Sequence, residues 1–249
     1  MDSVRLTKRQ RRLMAKQGVI DETPTVNFKN HSRLNRIEPL TQNQLKTFVA
    51  YEKEKNLVLH GMAGTGKTFI SLYLALSDIV SGETPYHKVV IVRSVVPTRD
   101  MGFLPGNAKE KAAVYEAPYQ AICSELFGRD DAYKILKDKN AVEFISTSFI
   151  RGITLQNCIV IVDEVNNMTF HEIDSVITRI GKNCRIMFCG DFRQSDLTRE
   201  QEKNGLKNFM RITKQMDSFD NVEFTEDDIV RSGLVRDYII TRERLNISA

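Results

Sequence analysis

The stretch LVLHGMAGTGKTFIS, residues 57–71, constrains the fold more than any other part of the chain. Inside it, GMAGTGKT (61–68) satisfies the spacing G-x-x-x-x-G-K-[ST]. A short apolar run of strand length precedes it, and TFISLYLALSDIVSG follows with apolar residues at Ile70, Leu72, Leu74, Leu76, Ile79 and Val80. Strand, glycine-rich turn and helix in that order let backbone N–H groups curl around phosphates at the positive end of a helix. The candidate phosphate-binding residues are therefore Gly61, Met62, Ala63, Gly64, Thr65, Gly66, Lys67 and Thr68. Lys67 is placed to reach the β- and γ-phosphate oxygens of ATP, and the Thr68 hydroxyl to ligand Mg²⁺.

The rest of the chain supplies the sheet that such a loop needs. Apolar strand candidates occur at 57–60, 88–93 (KVVIVR), 142–146 (VEFIS), 158–163 (CIVIVD), 185–190 (RIMFCG) and 221–224 (NVEF). Helical patterns fall near 41–51, 67–81, 108–127, 169–179 and 233–244. Continuous Val/Ile-rich strands alternating with helices predict an α/β fold, a mostly parallel central sheet with helices on both faces. Ligands of such a sheet bind at the carboxyl ends of its strands.

Two of those strands end in chemistry. CIVIVD delivers Asp163 and Glu164 to its carboxyl end, where buried charge is costly unless a metal or water meets it. Asp163 is expected to hold the Mg²⁺ and Glu164 to orient and deprotonate an attacking water. RIMFCG is followed by Asp191 and, three residues later, Gln194, whose amide could donate to the γ-phosphate or the water and so report which nucleotide is bound. A small-molecule kinase needs neither Glu164 nor Gln194, which disfavours that class.

Charge is unevenly spread. Residues 1–36 hold nine Lys/Arg against Asp2, Asp21 and Glu22, so the arm carries +6 and the remainder −2 of a net +4. A basic arm on a near-neutral body suits a polyanion such as RNA, or equally a solvated tail. No run of 18 apolar residues occurs and the first residues lack the apolar core of a signal peptide, so a cytoplasmic protein with no membrane partner is expected. The four cysteines (Cys123, Cys158, Cys184, Cys189) have no CxxC spacing and read as reduced packing residues.

In combination these motifs resemble the PhoH-like ATPases, which are related to the first RecA-like domain of superfamily 1 helicases. The resemblance runs from about 36 to 242 and includes GFLPGN (102–107), RGITL (151–155), VDEVNN (162–167), TRIG (178–181) and GDFRQSDL (190–197). It implies a RecA-like P-loop NTPase domain over 37–249 behind the arm at 1–36. It also implies an adenine-reading glutamine in PLTQNQ (39–44), which selects Gln44. RSVVP (93–97) and VRSGLV (230–235) depart from the family's pattern while keeping their arginines, and no nuclease activity is carried over.

Helicases of this kind take an arginine from a second domain to stabilise the transferring phosphoryl group. With one such domain in this sequence, the resemblance implies a homo-oligomer, a hexameric ring, in which Arg231 or Arg236 acts across a subunit border and Arg151 or Arg179 lines it. GFLPGNAKEKAAVYEAPYQ mixes Lys109 and Lys111 with Tyr115 and Tyr119, a composition that fits stacking on unpaired bases or, alternatively, an amphipathic helix with its tyrosines inward. The expected activity is Mg²⁺-dependent hydrolysis of ATP to ADP and phosphate, coupled to RNA or single-stranded nucleic acid. The competing reading is a nucleotide-gated binding or assembly protein with little turnover.

Overall fold

A computed structural model of the chain describes residues 34–94, 108–191 and 200–245. Gln194, the GFLPGN turn and all but the last three residues of the basic arm lie outside them, as do the side chains of Lys109 and Lys111. Six strands, β1 (Asn56–Gly61), β2 (Lys88–Arg93), β3 (Val142–Ser146), β4 (Cys158–Asp163), β5 (Cys184–Gly190) and β6 (Phe219–Phe224), form one sheet in the order β3-β2-β4-β5-β1-β6. Every neighbouring pair is parallel. The helices described are α1 (Gln42–Glu52), α2 (Lys67–Ser81), α3 (Ala108–Phe127), α4 (Ala132–Asp138), α5 (Phe170–Ile177), α6 (Glu200–Thr213) and α7 (Gly233–Arg244).

The two-residue period of the strands sorts the core into two layers. Leu57, Leu59, Val89, Ile91, Ile159, Ile161, Met187 and Cys189 face α1, α2, α3 and α4. Their alternates Val58, Val90, Val92, Val160, Val162, Ile186 and Phe188 face Ile173 and Val176 of α5 and Leu206 and Phe209 of α6. β4 is buried along its whole length, as a strand covered on both faces must be.

Local chemistry sets the helix ends. Gly66 and Gly82 bracket α2 in the left-handed conformation, and Thr169 with Glu172 forms a reciprocal capping box at the start of α5. Two helices are not among those the sequence pattern predicts. α4 is seven residues long, and α6 is mostly polar with Gly205 inside it. Gly205 is accommodated by close packing, because a Cβ there would lie 2.7 Å from the Cβ of Phe170.

The RGITL and TRIG blocks clasp each other at the amino ends of β4 and β5. Leu155 N–H donates to the Arg179 carbonyl and Gly181 N–H to the Leu155 carbonyl, both at 2.8 Å. Just beyond them Cys158 and Cys184 are register partners with sulfurs 3.6 Å apart, and all four cysteines are free thiols. Among the described residues no helix is long and apolar enough to cross a membrane.

Candidate nucleotide site

β1 lies between β5 and β6, and β5 separates it from β4. The carboxyl ends of β1, β5 and β4 therefore stand side by side, bringing the phosphate loop, Asp191 and the Asp163–Glu164 pair to one end of the sheet. Gly61 ends β1 at φ 112°, where a Cβ would lie 2.1 Å from the Phe224 carbonyl oxygen of β6; only glycine fits. Gly66, at φ 81°, turns the chain into α2. Thr65 is buried and its hydroxyl donates to the Met62 carbonyl (2.9 Å).

Lys67 is only 9% exposed. Its ammonium donates to the Gly61 carbonyl (2.9 Å), the Met62 carbonyl (2.6 Å) and the Thr65 hydroxyl (3.2 Å), all uncharged oxygens. Burial lowers its pKa, while the negative charge of Asp191, Glu164 and Asp163 works the other way. A desolvated cation whose direct partners are neutral is electrostatically poised for an anion.

Asp163 ends β4 with both carboxylate oxygens engaged. Oδ1 accepts from the Thr68 hydroxyl (2.7 Å) and Oδ2 from the buried Tyr119 phenol (2.8 Å). Arg93 ends the adjacent strand in register with Asp163, its charge acts on the same phenol, and it lies 5.9 Å from the Tyr115 ring centroid. Glu164 leaves the strand at φ 52°, a left-handed conformation that costs a non-glycine residue about 1–3 kcal/mol and marks functional turns. Burial raises its pKa, as does the charge of Asp163, while Arg93 and Lys67 hold it down.

The ends of the other strands are tied to this centre. Asn166 Oδ1 accepts the Asp191 N–H (3.1 Å), joining the turn after β4 to the end of β5. Glu172 accepts from Ser94 (3.1 Å) and Thr147 (2.6 Å), which follow β2 and β3, and from the Thr169 N–H (2.9 Å).

Gln44 is buried against the loop, its amide donating to the Thr65 carbonyl (3.1 Å) and accepting the Leu40 N–H (2.7 Å). Beside it a cleft of about 470 Å³ lies between the start of α1 and the Thr225–Asp228 turn, lined by Gln42 and Asn43 rather than Gln44. Arg231 has its stem beside the phosphate loop of its own chain. Val230 N–H bonds the Gly64 carbonyl (3.1 Å), which lays the Arg231 stem on its own loop, 3.0 Å from where a Gly64 Cβ would be. Arg236 donates to the Glu226 carbonyl (3.5 Å). Arg151 is exposed on the His171 ring (2.7 Å), whereas Arg179 sits by the amino end of β5, opposite the phosphate loop. Tyr119 is fully buried and faces Asp163, so it does not offer its ring to bases. No motif placed Arg93 or Tyr119 beside Asp163, whereas Asn166 lies in the same VDEVNN block. The signal that could have done so is Arg93 ending β2 as Asp163 ends β4.

A six-stranded parallel sheet with helices on both faces, a phosphate loop at β1 and paired carboxylates at β4 defines a RecA-like P-loop NTPase domain, an ATPase-type nucleotide-binding protein. The chain belongs to the PhoH-like protein family, which matches residues 36–242. It is 29% identical to the PhoH-like protein of Bacillus subtilis (strain 168) over 232 residues, covering 92% of this chain and 70% of that one. It is 31% identical to Protein PhoH of Escherichia coli (strain K12) over 193 residues, covering 77% of this chain and 54% of that one. Among solved structures, the large terminase of a thermophilic bacteriophage in complex with ADP aligns with TM-score 0.49 and 12% identity, over 80% of this chain and 49% of the terminase. Unliganded Pif1 from Bacteroides sp aligns at 0.37 and 15% identity, over 85% of this chain and 48% of Pif1.

Proposed function

We propose that the protein is a cytoplasmic, Mg²⁺-dependent ATPase that hydrolyses ATP to ADP and phosphate and acts on RNA or single-stranded nucleic acid. The observation that carries the hydrolytic part is Glu164. It is held by a strained turn beside Asp163, in a site where burial strengthens it as a base.

The donor set fits Mg²⁺. The Thr68 hydroxyl and an Asp163 carboxylate oxygen lie 2.7 Å apart, hard oxygen ligands of the kind this ion takes, and bound there it would neutralise charge developing on the phosphates. Lys67 exchanges its carbonyl partners for phosphate oxygens. Glu164 accepts a proton from the attacking water as the water oxygen bonds to the γ-phosphorus. The bond to the bridging β–γ oxygen breaks, and ADP and phosphate leave. Gln44 acts on the base side through its grip on Thr65, and Gln194 reads the γ-phosphate. Arg231 supplies charge from the loop side, with Arg236 holding its segment.

Oligomerisation, read as a hexameric ring, is supported by α7, where Leu234 is 83% and Tyr238 66% exposed one helical turn apart beside the loop. The decisive experiment is ATP turnover by the full chain with RNA, with single-stranded DNA and with neither. Stimulation by one polymer is expected. A measurable rate that no polymer changes overturns the nucleic-acid part, and an absent rate with intact nucleotide binding overturns the hydrolytic part. Deleting residues 1–36 should flatten the salt dependence of RNA binding, because about six phosphate contacts are lost.

A further inference from the structure

We infer that Tyr119 is a positioning residue of the nucleotide site, and that its bond to Asp163 makes helix α3 the element that senses whether metal and nucleotide are bound. The inference rests on the nucleotide-hydrolysing reading above. It concerns how the Asp163 carboxylate is held and what that connection moves.

Tyr119 is 0% exposed, and its ring packs 6.0 Å from that of Phe144 on β3. A tyrosine buried so completely keeps its hydroxyl only where a partner satisfies it. Here the partner is Oδ2 of Asp163, while Oδ1 takes the Thr68 hydroxyl. Arg93, in register with Asp163, lies near enough for its charge to act on the phenol, while Tyr119, Asp163 and Thr68 form one hydrogen-bonded chain from α3 to the start of α2. Groups that fix a metal-binding carboxylate in this way set its orientation and its affinity for the ion.

The connection continues outward. Glu116, one turn before Tyr119 on α3, is buried and accepts from the Tyr133 phenol (2.7 Å) and the Lys137 ammonium (2.6 Å) of α4. The two helices are thereby joined as a pair, and Tyr119 and Tyr115 touch the nucleotide end of the sheet through Asp163 and Arg93. Pro118, immediately before Tyr119, removes one backbone donor inside α3 and gives the helix a compliant point where the bond is made. A shift of the carboxylate toward a cation therefore acts on α3 directly, and by reciprocity α3 biases how the site binds the ion.

Tyr119→Phe keeps the ring and removes only the hydroxyl. A fluorescent ADP analogue is titrated onto the full chain, first in chelator and then in saturating Mg²⁺, with hydrogen exchange followed over residues 114–127. In the unaltered protein Mg²⁺ should tighten nucleotide binding and protect α3. In Tyr119→Phe the affinity in chelator should be unchanged, the gain from Mg²⁺ should fall about tenfold, the low end for loss of such a support, and α3 protection should no longer respond. Tyr133→Phe, which loosens the α3–α4 tie away from the site, should lower the melting temperature and leave the Mg²⁺ gain intact. Should Tyr119→Phe not fold, Arg93→Lys, which keeps a positive charge but moves it relative to the phenol, should show a smaller loss of the same kind. A full Mg²⁺ gain with nucleotide-dependent protection in Tyr119→Phe, or in Arg93→Lys if that variant stands in, overturns the inference alone. An unaltered protein indifferent to Mg²⁺ overturns the metal-dependent reading as well.

Discussion

The two ends of the sheet each bury a cation, and they treat it in opposite ways. At the amino end of β5, Arg185 is 5% exposed and lies 4.1 Å from the Tyr51 ring centroid and 5.8 Å from that of Tyr86. Tyr51 in turn donates to Asp78 (2.7 Å), so the guanidinium sits in a closed arrangement of aromatic faces and a nearby carboxylate. At the carboxyl end, Lys67 is almost as buried, yet its direct partners are two carbonyls and a hydroxyl. One cation is compensated from within the fold. The other has carboxylates near it but bonds directly only to neutral oxygens, leaving its ammonium open to exchange them for an anion. Burial of charge therefore does not by itself distinguish a structural site from a binding site; the charge and completeness of the partners do.

This contrast is most open to refutation at the carboxyl end. Lys67→Ala should remove nucleotide binding, whereas Glu164→Gln should bind normally and turn over about 10²–10⁴-fold more slowly. Equilibrium binding and phosphate release separate the two, and normal hydrolysis by Glu164→Gln would remove it from the role of base. Arg185→Leu should do the reverse. It should lower unfolding free energy by about 1–2 kcal/mol, from the lost contacts with the Tyr51 and Tyr86 rings, with nucleotide affinity unchanged. Lys67→Met should be no less stable than the unaltered chain in the same denaturant titration, because the cost of burying that cation outweighs the pull of the carboxylates near it.

Smaller effects bear on the same difference. Tyr51→Phe should cost about 1 kcal/mol through the lost bond to Asp78, again without effect at the nucleotide end. Asp228 links α1 to the turn before α7, accepting from Asn43 (2.7 Å) and the Thr225 N–H (2.8 Å). Burial opposes its charge, but these bonds and one from Thr41 outweigh it and hold its pKa below the ordinary 3.8. Its stabilising contribution is thus full above that value and is lost as pH falls below it toward the folded-state pKa. Asp228→Asn should be about 1 kcal/mol less stable at neutral pH, with the difference shrinking in thermal melts below about pH 4.

Much of this architecture could be read in advance, for reasons visible in particular residues. All six strands lie near the predicted runs; the inner ones are apolar nearly throughout because both their faces are covered, while edge strands β3 and β6 keep polar residues. α4 and α6 escaped that reading: one is too short to show a period, and the other carries Gly205 and a mostly polar surface. The loop, Thr68, Asp163 and Glu164 converge as expected, since motif spacing fixes local geometry. Of the two readings of Tyr119, the amphipathic helix with its tyrosines inward holds, but that its phenol meets Asp163 depends on what packs above β4. Arg231 was legible as a cation but not as one laid on its own loop.

The strands, the phosphate loop, its helix and the acidic end of β4 are written in the chain itself, because they depend on backbone conformation and on residues close together in sequence. Which strand ends stand side by side is settled by packing alone. The order β3-β2-β4-β5-β1-β6 sets Arg93 next to Asp163, inserts Asp191 between Asp163 and the loop, and brings Tyr119 onto the carboxylate from 44 residues away. It also divides the buried cations into one held between aromatic rings and one held by exchangeable neutral oxygens. Pairings of that kind depend on which distant surfaces bury each other, and local propensity carries no record of them.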